Sequence, residues 1–239
     1  MKILLEELRK TAGNKPDITA SELVEMVVKL LRPSRVVLAS SLSAEDQVLT
    51  HILCKVITKP RIFTLDTGRL FPETYETMEK TMQRYGFRYE ILAPDTVELE
   101  KMVSEFGPNL FYGSVDFRKR CCEVRKINPL RRILKTADAW ICGLRRFQAV
   151  TRTEVEVLNQ DEAFGLIKVN PLFDWTEKQV LDYVKENDIP YNPLQDRGFR
   201  SIGCAPCTRA VGEEDDVRAG RWWWEEPEHK ECGLHKRRK

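Results

Sequence analysis

Long apolar runs are missing from this sequence. No stretch approaches the ~18 consecutive apolar residues of a membrane span. Glu6 and Glu7 interrupt "MKILLEELRK", where a secretion signal keeps an apolar centre. A cytosolic protein with reduced thiols is therefore expected, and a disulfide framework is not. Charge of one sign is also missing. With 39 Lys and Arg against 37 Asp and Glu, the net charge is +2, and no whole-chain field argues for nucleic acid. Two phosphate-binding signatures are absent as well. Without GxxxxGK[ST] or GxGxxG, P-loop nucleotide hydrolysis and dinucleotide binding both lose support. No internal repeat or low-complexity tract divides the chain. What is there is 239 residues, 42% hydrophobic and 32% charged, enough for one large α/β domain with a small appendage.

The apolar pattern alternates between two periods. "ITASELVEMVVKLLRP" is an amphipathic helix ending before Pro33, and residues 1–34 form an N-terminal helical segment. "RVVLA" (35–39) is a buried strand, followed by a helix over "AEDQVLTHILCKVI". "RIFTL" (61–65) is a strand, followed by a helix with Pro72 at its start and Gly86 at its end. "FRYEIL" (87–92) and "AWICG" (139–143) are further strands; a helix near 97–106 and a helical stretch after Cys121 lie between them. Short β-rich runs follow at 154–158 and 166–169, and Thr176 with Gln179 makes a capping box for the next helix. Such alternation predicts a doubly wound, mainly parallel sheet over residues 35–190. Residues 191–239, rich in Gly, Pro, Cys, Trp and charge, add no strand and belong to the same domain as an irregular tail.

Three polar loops follow strands directly, and parallel strands present their C-terminal ends on one edge, where such sheets bind ligands. "SSLSAED" (40–46) sets Ser40, Ser41 and Ser43 at a helix N-terminus, suited to an anion, with Glu45 and Asp46 as first-turn carboxylates. "DTGRLFPET" (66–74) contributes Asp66 and Arg69, and "GLRR" (143–146) contributes Arg145 and Arg146. Gly68 and Gly143 permit close approach of backbone to ligand. Arg152 is placed to reach the same edge. Taken singly, each of these arginines is more often a solvated surface charge.

Seven cysteines are present. Cys54 and Cys142 lie in apolar segments and are expected to be small buried hydrophobes. Cys121 and Cys122 are adjacent, and Cys204 and Cys207 form a C-x-x-C after the sheet has ended, which disfavours a thioredoxin-like redox pair. Four thiolates suit structural zinc or an iron–sulfur cluster. The run Arg118, Lys119, Arg120, Arg125, Lys126, Arg131 and Arg132, opposed only by Glu123, offsets the negative charge of either. Adjacent side chains splay apart, which favours separate corners of a cluster; spacing alone leaves zinc open. Cys232, close to the C-terminus beside His235 and "KRRK", is either an unimportant tail cysteine or a reactive thiol whose thiolate those cations stabilise.

"SSLSAEDQVL", "TLDTGRLFPETY", "CCEVRK", "GLRRFQ", "NPLFDWTEKQV", "YNPLQDRGFRSIGCAPCTR", "GRWWWE" and "ECGLH" together resemble the assimilatory sulfonucleotide reductases, in particular the cluster-containing adenylyl-sulfate (APS) reductases. The resemblance runs from about residue 35 to 235. It implies an adenine-nucleotide α-hydrolase-like fold, although "SSLSAED" lacks the glycines of the related SGGxDS loop. It implies one 4Fe–4S cluster on Cys121, Cys122, Cys204 and Cys207, and Cys232 as nucleophile. Ser41, Ser43, Leu65 and Gly143 should meet the adenosine; Lys126, Arg152, Arg218 and Arg221 should face the phosphosulfate. Asp66, Arg145 and His235 complete the expected substrate contacts. Arg218 and Arg221 would share a face if their segment were helical. The implied reaction converts adenosine 5′-phosphosulfate to sulfite and AMP through an S-sulfocysteine, with thioredoxin or glutaredoxin as external reductant. A homo-oligomer is compatible with this reading. The alternatives are a reductase using the 3′-phosphorylated nucleotide PAPS or both nucleotides, an ATP-dependent RNA thiolation enzyme, and a non-enzymatic nucleotide-binding module with zinc. Trp222–Trp224 are expected to pack the tail or to meet thioredoxin, packing being the simpler role.

Overall fold

The computed structural model describes residues 2–13, 18–146, 156–212, 214–226 and 229–230. Its strands are β1 (Val36–Ala39), β2 (Ile62–Leu65), β3 (Glu90–Leu92), β4 (Ala139–Ile141), β5 (Leu158–Asp161) and β6 (Leu166–Val169). They form one six-stranded sheet in the order β3-β2-β1-β4-β6-β5. All neighbours are parallel except β5, which runs antiparallel to β6. The central register places Val37 beside Trp140 and Leu38 beside both Ile62 and Ile141. Strands covered on both faces read as continuous Val, Ile and Leu, and β1 is buried in that way.

The helices are α1 (Lys2–Gly13), α2 (Ala20–Leu31), α3 (Ala44–Val56), α4 (Pro72–Tyr85), α5 (Thr96–Phe106), α6 (Val115–Cys122), α7 (Asn128–Leu134) and α8 (Glu177–Glu186). Capping boxes start α2 (Thr19 with Glu22) and α8 (Thr176 with Gln179). Each N-cap contributes about 1 kcal/mol. Gly86 ends α4 in the left-handed conformation, as the sequence predicts. One apolar core joins Leu5 and Leu8 of α1 to α2, α3 and α8; a second, across the sheet, joins α7 to Trp140 and Phe63. Among the described residues no helix is long and apolar enough to cross a membrane.

Three boundaries differ from the sequence reading. The strand expected at 154–158 is instead Leu158–Asp161, in a hairpin with β6; residues 154 and 155 lie outside the described residues. In "FRYEIL" only Glu90–Leu92 pairs, while Phe87 and Tyr89 turn into the core. β3 is an edge strand with a partner on one side only, so less backbone pairing holds it. β4 ends at Ile141, freeing Cys142 and Gly143 for the site at the sheet edge.

Candidate active site

The loop after β1 is built around a buried carboxylate. The backbone N–H and the hydroxyl of Ser41 both donate to Asp46 Oδ2 at 2.6 Å. Burial pushes the Asp46 carboxyl up to about 6, against the pull of the Ser41 donors. The loop after β4 passes just above. A Cβ on Gly143 would sit 2.5 Å from Asp46 Oδ1 and 2.9 Å from Glu45 Cβ, so only glycine fits there. Glu45, also buried, accepts from Arg145 Nε at 2.9 Å, and Arg145 Nη1 donates to the Trp175 carbonyl.

These loops open onto a cavity of about 210 Å³ at the C-terminal edge of β1, β2 and β4. Ser41, Ser43, Leu65 and Gly143 line it together with Lys126, Arg218, Arg221 and Cys204. The sequence grouped the first seven of those residues from five separate segments, and the fold brings them to one place. Asp66 and Arg145 are not in the cavity wall. Asp66 accepts from the Gly68 N–H and the Tyr75 hydroxyl in a turn at the loop, and Arg145 is committed to Glu45. Arg152, Cys232 and His235 lie outside the described residues. Residues 218–221 form a turn in which the Arg221 N–H donates to the Arg218 carbonyl; the two arginines share the cavity without a helix.

Next to this cavity lies the cysteine cluster. Cys121 and Cys122 end α6, which runs through a π-helical turn (Glu123–Ile127) into α7. Such turns carry one extra residue and recur at functional sites. Here Arg125 and Lys126 are buried in it. Cys204 and Cys207 flank a short 3₁₀ turn, tied to the loop after β2 by the Ala205 N–H donating to the Arg69 carbonyl. The four thiols, all buried and none in a disulfide, surround one small cavity together with Arg69, Arg118, Arg125 and Lys126. Among the described residues, no three His, Cys, Asp or Glu side chains converge in the geometry of a single metal ion.

The electrostatics of the four thiols are uneven. Burial raises Cys121, and burial with the neighbouring Cys204 pushes Cys207 up to about 11. Burial opposes ionisation of Cys204 too, yet Lys126, the Thr67 hydroxyl, Arg221 and Arg125 carry it below an ordinary thiol. Thr67 Oγ1 is 3.2 Å from Cys204 Sγ, and Arg125 Nη1 holds the Thr67 carbonyl at 2.6 Å.

The basic run around the adjacent cysteines divides in the structure. Arg118, Arg125 and Lys126 are buried toward the thiols, whereas Arg131 pairs outside with Glu123. Sequence reasoning missed Thr67, Arg118 and Arg125 as site residues; charge density alone signalled the two arginines, and nothing local singled out Thr67. Trp222 is fully buried, with Arg118 at 4.6 Å and Arg221 at 4.8 Å from its ring centre. Trp224 packs on Tyr112 at 4.6 Å. The tryptophans therefore pack the tail, as the simpler expectation had it.

Residues 35–210 match the phosphoadenosine phosphosulfate reductase domain. An adenosine 5′-phosphosulfate reductase of Allochromatium vinosum is 50% identical over 221 residues, 92% of this chain and 86% of that protein. One of Burkholderia cepacia is 50% identical over 204 residues, 85% of this chain and 82% of that protein. The crystal structure of phosphoadenylyl-sulfate (PAPS) reductase from Candida auris superposes with a TM-score of 0.71 at 27% identity, covering 87% of this chain and 96% of that one. A Candida glabrata FMN adenylyltransferase shares the fold at 14% identity and a TM-score of 0.55, covering 85% of this chain and 71% of that one. A domain match spanning most of the sheet and the C-x-x-C turn, and half-identical relatives over nearly the whole length, lead to one conclusion: the chain belongs to the phosphoadenosine phosphosulfate reductase family.

Proposed function

We propose that the protein reduces adenosine 5′-phosphosulfate to sulfite and AMP in sulfate assimilation, as the names of its half-identical relatives indicate for them. The observation that carries this reading is the cavity that Lys126, Arg218 and Arg221 line together with Ser41 and Ser43. Cations together with hydroxyls and backbone groups suit a nucleotide bearing a crowded anionic group.

The Cys232 thiolate attacks the sulfate sulfur. A sulfur–sulfur bond forms, the bond from sulfur to the bridging oxygen of AMP breaks, and AMP leaves with the electron pair. Nucleophile, sulfo group and leaving phosphate are all anionic, so donors from Lys126, Arg218 and Arg221 must neutralise charge as it shifts toward the phosphate. Burial of Lys126 and Arg221 limits screening of those two donors by water. A dithiol protein of the thioredoxin or glutaredoxin type then attacks Cys232 Sγ, sulfite departs with two electrons, and the donor's second thiol restores Cys232. The donor leaves as a disulfide.

Cys121, Cys122, Cys204 and Cys207 fit a 4Fe–4S cluster: four buried thiols around one cavity, ringed by basic side chains that offset the charge of four thiolates. When bound, the cluster supplies a fixed negative charge beside Lys126. Lys126 lines both the thiol cavity and the nucleotide cavity, so it holds the substrate anion from a position set by the thiolates. This reading makes the protein a cytoplasmic enzyme.

Intact mass after incubation with APS, with no reductant, tests the reading. One trapped sulfo group mapping to Cys232 is expected. Normal sulfite production from a protein that never carries the adduct sinks it. Turnover on PAPS beside APS decides the nucleotide, with APS expected to be the better substrate.

A further inference from the structure

Gly203, between Ile202 and Cys204, lines the nucleotide cavity and lies against the head of Arg221. A Cβ there would stand 2.3 Å from Arg221 Nη2, 2.6 Å from its central guanidinium carbon and 3.0 Å from Nη1, and these are the three nearest atoms. The backbone of Gly203 is outside the left-handed region, so what the missing side chain supplies is room and not conformational freedom. The main chain of Arg221 is tied to the far end of the same C-x-x-C turn. It bridges to Thr208, and the next N–H, that of Trp222, donates to the Cys207 carbonyl. The side chain then returns across the turn. Its Nη1 donates to the Ile202 carbonyl at 3.3 Å, and the guanidinium carbon is 4.8 Å from the Trp222 ring centre. Arg221 is buried, with its main chain fixed beside Cys207 and Thr208 and its head beside Ile202 and Gly203.

We propose that Gly203 is a positioning residue: its bare backbone leaves the slot that sets the Arg221 guanidinium in the cavity wall, where it meets the substrate anion. This rests on the reading of Arg221 given above and deepens it. Ordinary contacts with a carbon begin near 3.4 Å, so an alanine displaces the guanidinium by about 1 Å. The head of an arginine is the far end of a flexible side chain, so it gives way before the backbone that carries Cys204 does. The fold survives and the chemistry suffers. A donor stabilises developing charge from the place at which it is preorganised, and a misplacement of about 1 Å can cost about 100-fold in rate. Lys126 and Arg218 line the same cavity and keep it cationic, so the alanine moves one donor without abolishing the field.

The test is a double-mutant cycle in kcat/KM for APS, on the iron-loaded protein with thioredoxin as reductant. Gly203→Ala is expected to lower kcat/KM about 10- to 100-fold, while iron content, visible spectrum and urea midpoint stay as in wild type. Arg221→Ala should lose at least as much. Since the alanine acts only through the guanidinium, Gly203→Ala/Arg221→Ala should match Arg221→Ala within about twofold. A crystal structure of Gly203→Ala should show the guanidinium displaced and the Cys204 segment in its wild-type path. Losses that multiply in the double variant, a wild-type kcat/KM for Gly203→Ala, or a guanidinium that keeps its place each overturn the proposal. If Gly203→Ala does not hold its iron, iron is read in the double variant. Recovery there, at the kcat/KM of Arg221→Ala, supports the proposal; continued loss overturns it, because the alanine then collides with another group. A wild-type kcat/KM for Arg221→Ala, by contrast, overturns the reading of Arg221 as a substrate cation.

Discussion

Gly143 presses on Asp46 so closely that the space for one methyl group is already taken, a Cβ there standing 2.5 Å from Asp46 Oδ1. The contact joins the loop after β4 to the first turn of α3 and shapes the floor of the nucleotide cavity. Gly143→Ala must push one of them aside. Overpacking of this kind costs about 1–3 kcal/mol. The urea midpoint should fall accordingly, and AMP affinity should drop in the protein that still folds. Unchanged affinity would show that the floor is not part of the nucleotide site.

Arg145 and Glu45 make a buried ion pair at 2.8 Å under the same floor. Removing one partner of such a pair leaves an uncompensated charge and costs about 3–5 kcal/mol. Arg145→Met should therefore lower stability strongly in denaturant titrations, while KM for APS changes less than in Arg218→Met. A loss confined to KM, with stability intact, would return Arg145 to the role of a direct substrate contact that the sequence suggested.

The buried Asp46 carboxyl gives a pH dependence of definite sign. Its folded value is about 6, raised from 3.8 by burial. The folded state thus holds this proton more tightly than the unfolded state, and the stabilisation is complete below about pH 4. It is lost as pH rises through about 6. Two units correspond to about 3 kcal/mol. The difference in unfolding free energy between wild type and Asp46→Asn should fall by an amount of that order between pH 4 and 7. A flat difference would mean that Asp46 titrates near its ordinary value.

Cys121→Ala should lose the visible absorbance, the iron and the reductase activity together. An active variant free of iron would refute the ligand assignment.

Cys232→Ser should abolish sulfite formation while AMP binding and the visible spectrum persist. Loss of colour in that protein would instead make Cys232 a metal ligand.

Much of this was legible in one dimension because local rules carried it. Val36–Leu38 and Ile62–Phe63 read as strands since both their faces are buried, and Pro72, Gly86 and the Thr176–Gln179 pair announce helix ends through backbone chemistry that needs no tertiary partner. The antiparallel β5–β6 hairpin was less legible. Its strand "LNQD" carries one large apolar residue, and its pairing depends on β6 being present. The site divides in the same way. Ser41, Gly143 and the paired cysteines stand out by residue type and position after strands. Thr67 and Arg118 do not, because a threonine after a strand and an arginine in a basic run are common, and only their neighbours in space give them a role.

Sequence alone determined the sheet type, the edge where the polar loops gather, and the set of thiols brought together there, because strand succession, loop position and residue chemistry are all written along the chain. Tertiary structure decided which charges serve the site. Arg118, Arg125 and Lys126 turn inward while Arg131 pairs outside, and Arg145 spends itself on Glu45. That choice follows from desolvation. A buried cation must find an anion or a carbonyl, and which one lies within reach is known only once the helices and turns are packed.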